Sequence, residues 1–312
     1  MIQIFLFCTF MFVGMSFSYS QPDTTEFRRP EMYAIASVYH LRQLQQQPAS
    51  AYHAHQVACY FALQQQPDSM LRYALLALRN GDRPETLLVD TDFEPYHNAP
   101  QWAALRDTIR LQLLRRSPGI THPELAWELW LMGVDDQRPR TLRHYHKTGI
   151  PADEGFKQRE ARIQDIVRVH GWPTFSMVGH EAATAAFLVV QHTNAIVTCL
   201  PKLIEAAKAG EAELSHAAMM IDRYLCMRTK PVQLYGTQFL RSHTIDPETK
   251  MIVLGATSTP VPVAEPSGLS ERRKRVGLPP FNDACRDHKA DPGQLKNAGK
   301  IPSKWVRKGY LL

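Results

Sequence analysis

Apolar residues recur three and four positions apart through most of this chain, the period at which side chains share one face of an α-helix. From Phe27 to about Arg116 the spacing predicts helices only: one across Glu31 to Gln47, then a pair within Tyr52 to Asp82, separated by Pro67 and Asp68. Ala58, Ala74 and Ala77, beside Phe61 and Tyr73, supply the small side chains that let two helices approach closely. Thr91 to Leu105 reads as a short acidic and aromatic turn followed by a helix capped near Asn98 or Pro100. The run Ser117, Pro118, Gly119, with Pro123 close behind, marks a boundary. Beyond it the pattern predicts helices over Pro123 to Gly133 continuing toward His146, over Asp153 to His170, over Glu181 to Ala209 with a break or kink at Pro201, and over Glu213 to Arg228. The period then changes to two. Val232 to Leu240 and Lys250 to Ala256 read as strands joined by a turn at Asp246, Pro247 and Glu248. A Pro-rich loop over Thr257 to Pro266 and a short helix over Ser267 to Arg275 follow, and the chain after Pro279 is expected to be extended. The expected fold class is mainly α: N-terminal helical hairpins over 27–116 packed on a helical domain over 120–282 that carries one β-hairpin near 232–256, then a tail over 283–312.

Polar clusters interrupt this apolar, helix-patterned sequence. They are Gly171-Trp172-Pro173, Gln191-His192, Asp222-Arg223 and Tyr235-Gly236-Thr237-Gln238-Phe239. Polar groups in apolar surroundings cost free energy unless paired, so these clusters are expected to meet in the fold. Asp136 and Arg140 are four apart and share a helical face, with Gln137 beside them. They read either as an anion-binding Arg held by a carboxylate or as a surface ion pair worth about a few tenths of a kcal/mol. His192 could act as a general base with a carboxylate fixing its tautomer, though a single His in an apolar helix is more often a satisfied core residue. Asp222 and Arg223 are consecutive and point about 100° apart, so one can reach a site while the other supports it. On a strand, Tyr235 and Thr237 would share one face and Gly236 and Gln238 the other. Gln233, Tyr235 and Gln238 could bond a polar ligand or knit the strand to the helices. The candidate site is therefore His192, Asp222 and Asp136 for acid–base chemistry, with Arg140, Gln137, Gln191, Arg223, Gln233, Tyr235 and Gln238 for binding.

Taken in order, Asp136, Gln137 and Arg140; Gly171 to Pro173; Val178 and Gly179; Gln191 and His192; Asp222 and Arg223; Gln233 and Tyr235 to Gln238; Glu271 to Arg273; and Gly277 to Pro280 resemble a bacterial domain family of unknown function, over about 123–280. Asn194 stands where members often carry Asp. The resemblance implies a shared site and no particular reaction. The 27–116 region resembles a tetratricopeptide-like hairpin with its closing helix, which implies a peptide or protein as a possible partner.

Composition narrows the functional classes. With 312 residues and 44% hydrophobic content, the chain can bury a substantial core. The apolar run Ile2 to Met15, followed by Ser18, Tyr19, Ser20 and Gln21, reads as a signal peptide over residues 1–20, which predicts export to the periplasm or beyond. No later stretch is long enough for a transmembrane helix. The formal charge is +6, and from Arg272 to Leu312 eleven Lys or Arg face three Asp or Glu, so the basic excess belongs to the tail. A solvated face explains it more simply than nucleic acid does. Cys59, Cys199, Cys226 and Cys285 have no disulfide-scaffold spacing and read as small core residues. Although there are 13 His, the chain has no HExxH, paired CxxC or EF-hand loop. The spacings of His53 with His55 and His144 with His146 suit strands rather than helices, so no metal is expected. Walker, GxGxxG and GxSxG motifs are also missing, which gives no support to a nucleotide cofactor or a serine hydrolase. Three readings stand: a binding site for a polar, anionic or peptide-like ligand around His192, a hydrolase or transferase using His192 as acid or base, and a polar core that specifies the fold.

Overall fold

The computed structural model describes residues 29–146, 155–245 and 252–312. The predicted leader over Met1 to Ser20 and the hairpin turn at Asp246 to Glu248 lie outside them, as do the side chains of Arg140, His144 and His146. The described residues divide into two compact units, one of residues 29–118 together with Arg140–Tyr145, the other of Gly119–Pro139 and the described residues from His146 to Leu312. The fold is mainly helical with one two-stranded antiparallel sheet among the described residues.

In the first unit, helices α1 (Tyr33–Gln46), α2 (Ala51–Leu63), α3 (Pro67–Arg79) and α5 (Pro100–Arg116) lie close to the predicted spans, while the short α4 (Pro84–Val89) between α3 and α5 was not predicted. Proline at the first position of α3, α4 and α5 costs no hydrogen bond there, and its fixed φ starts the helix. The Ser50 side chain caps α2 by accepting the His53 N–H. The α2 and α3 faces meet through Ala54, Ala58, Ala74 and Ala77, all fully buried, with Phe61 stacked on Tyr73. The acidic and aromatic turn is a 3-10 segment over Thr91–Tyr96, capped by the Asp90 side chain.

In the second unit, α6 (Pro123–His146), α7 (Phe156–His170), α8 (Phe175–His192), α9 (Ile196–Lys208) and α10 (Leu214–Cys226) precede the sheet. Gly171 ends α7 at φ +76°, as the Gly-Trp-Pro turn predicts, and Trp172 is buried beneath it. Gly179 has φ +80° and kinks the start of α8. The long helix expected over Glu181 to Ala209 is instead two. Thr193 is extended and its hydroxyl accepts the Ala195 N–H, which ends α8 before α9 begins, and Pro201 lies inside α9 without breaking it.

Strand β1 (Phe239–Ile245) pairs with β2 (Ile252–Pro260) in the register Phe239↔Pro260, slipping once between Arg241 and His243. Short helices α11 (Leu269–Arg275), α12 (Phe281–Asp287) and α13 (Ser303–Arg307) follow. The predicted strand begins seven residues late, because Val232 to Gln238 forms a folded loop. The tail is not simply extended either: the Val263 and Glu265 N–H groups donate to Lys296 O and Gly299 O, Val263 O accepts the Ala298 N–H, and the tail buries Trp305 and Tyr310. The four cysteines among the described residues, Cys59, Cys199, Cys226 and Cys285, are free thiols in buried positions. No helix among the described residues is long and apolar enough to cross a membrane.

Candidate functional site

The second unit separates the sequence-nominated residues into two constellations. One lies where α6 meets α8. A Cβ added to Gly133 would come within 2.6 Å of Ala185 Cβ, so the absence of a side chain there lets the two helices approach. Three residues along α6 from this crossing stands Asp136, and seven along α8 stands His192. His192 Nδ1 lies 2.6 Å from Asp136 Oδ2, and Gln137 Nε2 donates to the same oxygen at 2.6 Å. The side chains are 9% and 1% exposed for His192 and Asp136, so little water competes for these bonds. With the carboxylate on Nδ1, the ring's Nε2 is the nitrogen turned away from Asp136. Neighbouring Gln191 is buried, and neither atom of its amide has a hydrogen-bond partner among the described residues. Leaving such a group unpaired costs about 1–3 kcal/mol. Asn194 donates to Glu160 Oε2 on α7 through both its backbone N–H and its side-chain amide, at 2.9 and 3.1 Å. A carboxylate could not make the second of these bonds, and it would face Glu160 as a like charge.

The other constellation is built around the loop Leu234 to Gln238. Asp222, on α10 and fully buried, accepts the backbone N–H groups of Leu234, Tyr235 and Thr237 and the Thr237 hydroxyl, at 2.7–3.1 Å. The loop carbonyls are taken by α11. Arg272 donates to Leu234 O and Ala264 O at 2.8 Å, while Arg273 donates to Tyr235 O at 2.6 Å, Gly236 O at 3.0 Å and Pro279 O at 2.7 Å. Gln233 accepts the Gln238 N–H at 2.7 Å and donates to Gln238 O and Val261 O. The Tyr235 hydroxyl donates to Tyr310 O at 2.8 Å and accepts the Leu312 N–H at 2.7 Å. Gly236 has φ +67°, and a Cβ there would meet the Phe281 ring at 2.9 Å. Burial pushes the Asp222 carboxyl up to about 6, and its donors from Leu234, Tyr235 and Thr237 pull against that rise. Burial lowers the Arg273 pKa, which the charge of Asp222 opposes.

Hydrogen bonds group the residues nominated for a shared site into two sets. Asp136, Gln137, Gln191 and His192 come together. Asp222, Gln233, Tyr235 and Gln238 form the loop network, every hydrogen bond of the Asp222 carboxylate going to that loop. Arg223, next to Asp222, is half-buried. Arg272 and Arg273, part of the Glu-Arg-Arg motif but not nominated as site residues, turn out to hold the loop. Their signal was the position of two Arg in a short helix beside a Pro-rich loop, which a basic tail disguised.

No curated protein and no solved structure matches the chain. Residues 146–295 match a family of unknown function, DUF6624. The match begins after Asp136 and Gln137 and runs past Pro280, so it takes in His192, Asp222, the Leu234 to Gln238 loop and the Arg272 and Arg273 that hold it, but neither the carboxylate that holds His192 nor the Tyr310 and Leu312 partners of Tyr235.

Proposed function

We propose that the meeting of α6 and α8 is the functional centre of the second unit, where His192, Gln191 and Gln137 bind a small polar ligand and His192 exchanges a proton with it through Nε2. The observation that carries this reading is the 2.6 Å pairing of His192 Nδ1 with Asp136 Oδ2. A carboxylate on one ring nitrogen fixes the tautomer and favours the protonated ring, which is what a general acid or base needs at the other nitrogen. The unpaired Gln191 amide supplies a donor and an acceptor beside it. Of the two carboxylates nominated to orient His192, Asp222 has its acceptor positions occupied by the loop, which leaves Asp136 to that role. Export rests on the N-terminal run alone, and the tetratricopeptide-like use of the first unit on its small-residue packing.

The low exposure of Asp136 and His192 favours a second reading, a polar pair that fixes how α6 sits on α8. Thermal unfolding of wild type, His192→Gln and Asp136→Asn, each with and without a panel of polar metabolites and short peptides, separates the two. The functional reading expects a ligand that raises the wild-type Tm and leaves His192→Gln unmoved, both variants remaining folded. Variants that lose several kcal/mol while no compound shifts any of the three proteins would assign the pair to architecture.

A further inference from the structure

The first unit holds a buried polar set of its own. His55 and Cys59 are one helical turn apart on α2, so they project from the same face. Asp90, which follows α4, reaches both: its Oδ2 lies 3.0 Å from His55 Nε2 and 3.5 Å from Cys59 Sγ. These ligand atoms all lie within 4.8 Å of one another. His55 and Asp90 are each held from behind. His55 Nδ1 is 2.6 Å from Asp82 Oδ2, and the other Asp82 oxygen accepts the Arg83 N–H at 2.9 Å and the Thr86 hydroxyl at 3.1 Å. Asp90 Oδ1 accepts the Asp92 N–H at 2.9 Å, which turns Oδ2 toward the helix.

We propose that His55 Nε2, Cys59 Sγ and Asp90 Oδ2 are three protein ligands of a zinc ion, with Asp82 as the outer carboxylate that orients the His55 ring. Nitrogen, thiolate and carboxylate together are a donor set suited to Zn2+. A tetrahedral zinc, with Zn–N and Zn–O of about 2.0 Å and Zn–S of about 2.3 Å, places its O and S ligands about 3.5 Å apart and its N and O ligands about 3.3 Å apart. The observed separations of 3.5 and 3.0 Å need a change of only a few tenths of an ångström. Zinc-bound histidines commonly give their second nitrogen to a carboxylate, and Asp82 occupies that place.

The charges also balance. With a carboxylate on each ring nitrogen, the metal-free imidazole carries both protons and Cys59 carries its own. One Zn2+ displaces the Nε2 proton and the thiol proton, two in all, which are released to solvent, so the net charge of this buried set is unchanged. The His53–His55 spacing misdirects a sequence search here, because His53 turns away and pairs with His40 Nδ1 at 3.0 Å. The working pair is His55 with Cys59, and its third member lies 31 residues further on.

The test uses the full, tag-free protein. Metal analysis after purification, and titration of the chelator-treated protein with Co2+, read occupancy and sulfur ligation directly. The expected result is about one metal per chain and a thiolate-to-cobalt charge-transfer band in the near ultraviolet. That band disappears in Cys59→Ala while the helical circular dichroism stays. Asp82→Asn keeps the band but weakens Co2+ binding on the order of 10–100-fold. The wild-type spectrum needs no variant to fold: a folded, chelator-treated wild-type chain that gives no thiolate band overturns the assignment, as does a band that persists in Cys59→Ala. The set would then be an imidazolium held between two carboxylates.

Discussion

His216 lies flat on Phe187, ring centroids 4.0 Å apart and planes 3° apart, and burial pushes its pKa down from 6.5 to about 4. Between those two values the unfolded chain takes up a proton that the folded chain refuses. The stability tied to this ring is therefore fully present above its unfolded pKa and is lost as the pH falls toward about 4. One such group is worth at most about 3 kcal/mol, less for the part of the ring that solvent reaches. His216→Phe keeps the stacked ring and removes the proton. In urea unfolding at about pH 8 and about pH 5, the variant should lose less stability on acidification than wild type does. The loss is reduced rather than abolished, because His40, also pushed down to about 4, first by burial and then by His53, remains in both proteins. Equal acid-side losses in the two would remove His216 as a source. Sequence gave no hint of this residue, since an isolated His in α10 reads the same whether its ring is in water or pressed against Phe187.

At the scale of elements, the helices were legible because a 3.6-residue period survives any detail of packing, and their boundaries were legible where Pro or Gly set them: Pro67 and Pro100 start helices and Gly171 ends one. Two boundaries were not. Thr193 to Ala195 carries no strong breaker, so the end of α8 depends on a hydroxyl-to-backbone bond that periodicity does not register. Leu234 to Gln238 alternates like a strand, yet the N–H groups of Leu234, Tyr235 and Thr237 go to Asp222 and the carbonyls of Leu234, Tyr235 and Gly236 to Arg272 and Arg273, which are 12 to 38 residues away in sequence. The α6 to α8 contact is the element-scale feature on which the candidate site depends, and Gly133 tests it. In an isolated helix Ala is favoured over Gly by about 1 kcal/mol. Here the added Cβ would sit 2.6 Å from Ala185 Cβ, and overpacking of that kind costs about 1–3 kcal/mol. Gly133→Ala is therefore expected to destabilise by up to about 2 kcal/mol despite its better propensity. It should also weaken the downfield proton resonance of the His192 Nδ1–Asp136 bond. A variant that gains stability and keeps that resonance would mean the helices have room to spare.

On the scale of the whole molecule, the sequence separates a helical N-terminal region from a helical domain with a hairpin, because the two periods and the Ser117 to Pro123 break are properties of the chain itself. It does not reveal what the last thirty residues do. Charge dominates their composition and suggests a loose basic tail, but its anchor is a few residues with no periodicity. Trp305 and Tyr310 are buried at 6% and 7% exposure, and the Tyr235 hydroxyl is bonded on both sides by Tyr310 O and the Leu312 N–H. Arg272 and Arg273, the most basic point of the sequence, are inside the fold and so unavailable to an anionic surface. Removing residues 301–312 should then act on the Asp222 loop, because Tyr235 loses both partners while its hydroxyl stays buried. That unpaired group costs about 1–3 kcal/mol, and the lost burial of one Trp and one Tyr adds about 1.5–3 kcal/mol for each. A chain ending at Lys300 is expected to unfold at clearly lower urea than the full chain, by a free energy of about 3 kcal/mol or more. Tyr235→Phe in the full chain, which keeps the ring and the tail, isolates the hydroxyl and should lose only about 1 kcal/mol of that. If the shortened chain matched the full one, the tail contacts would contribute nothing to the loop, and the Asp222 and Arg273 network would have to hold it unaided.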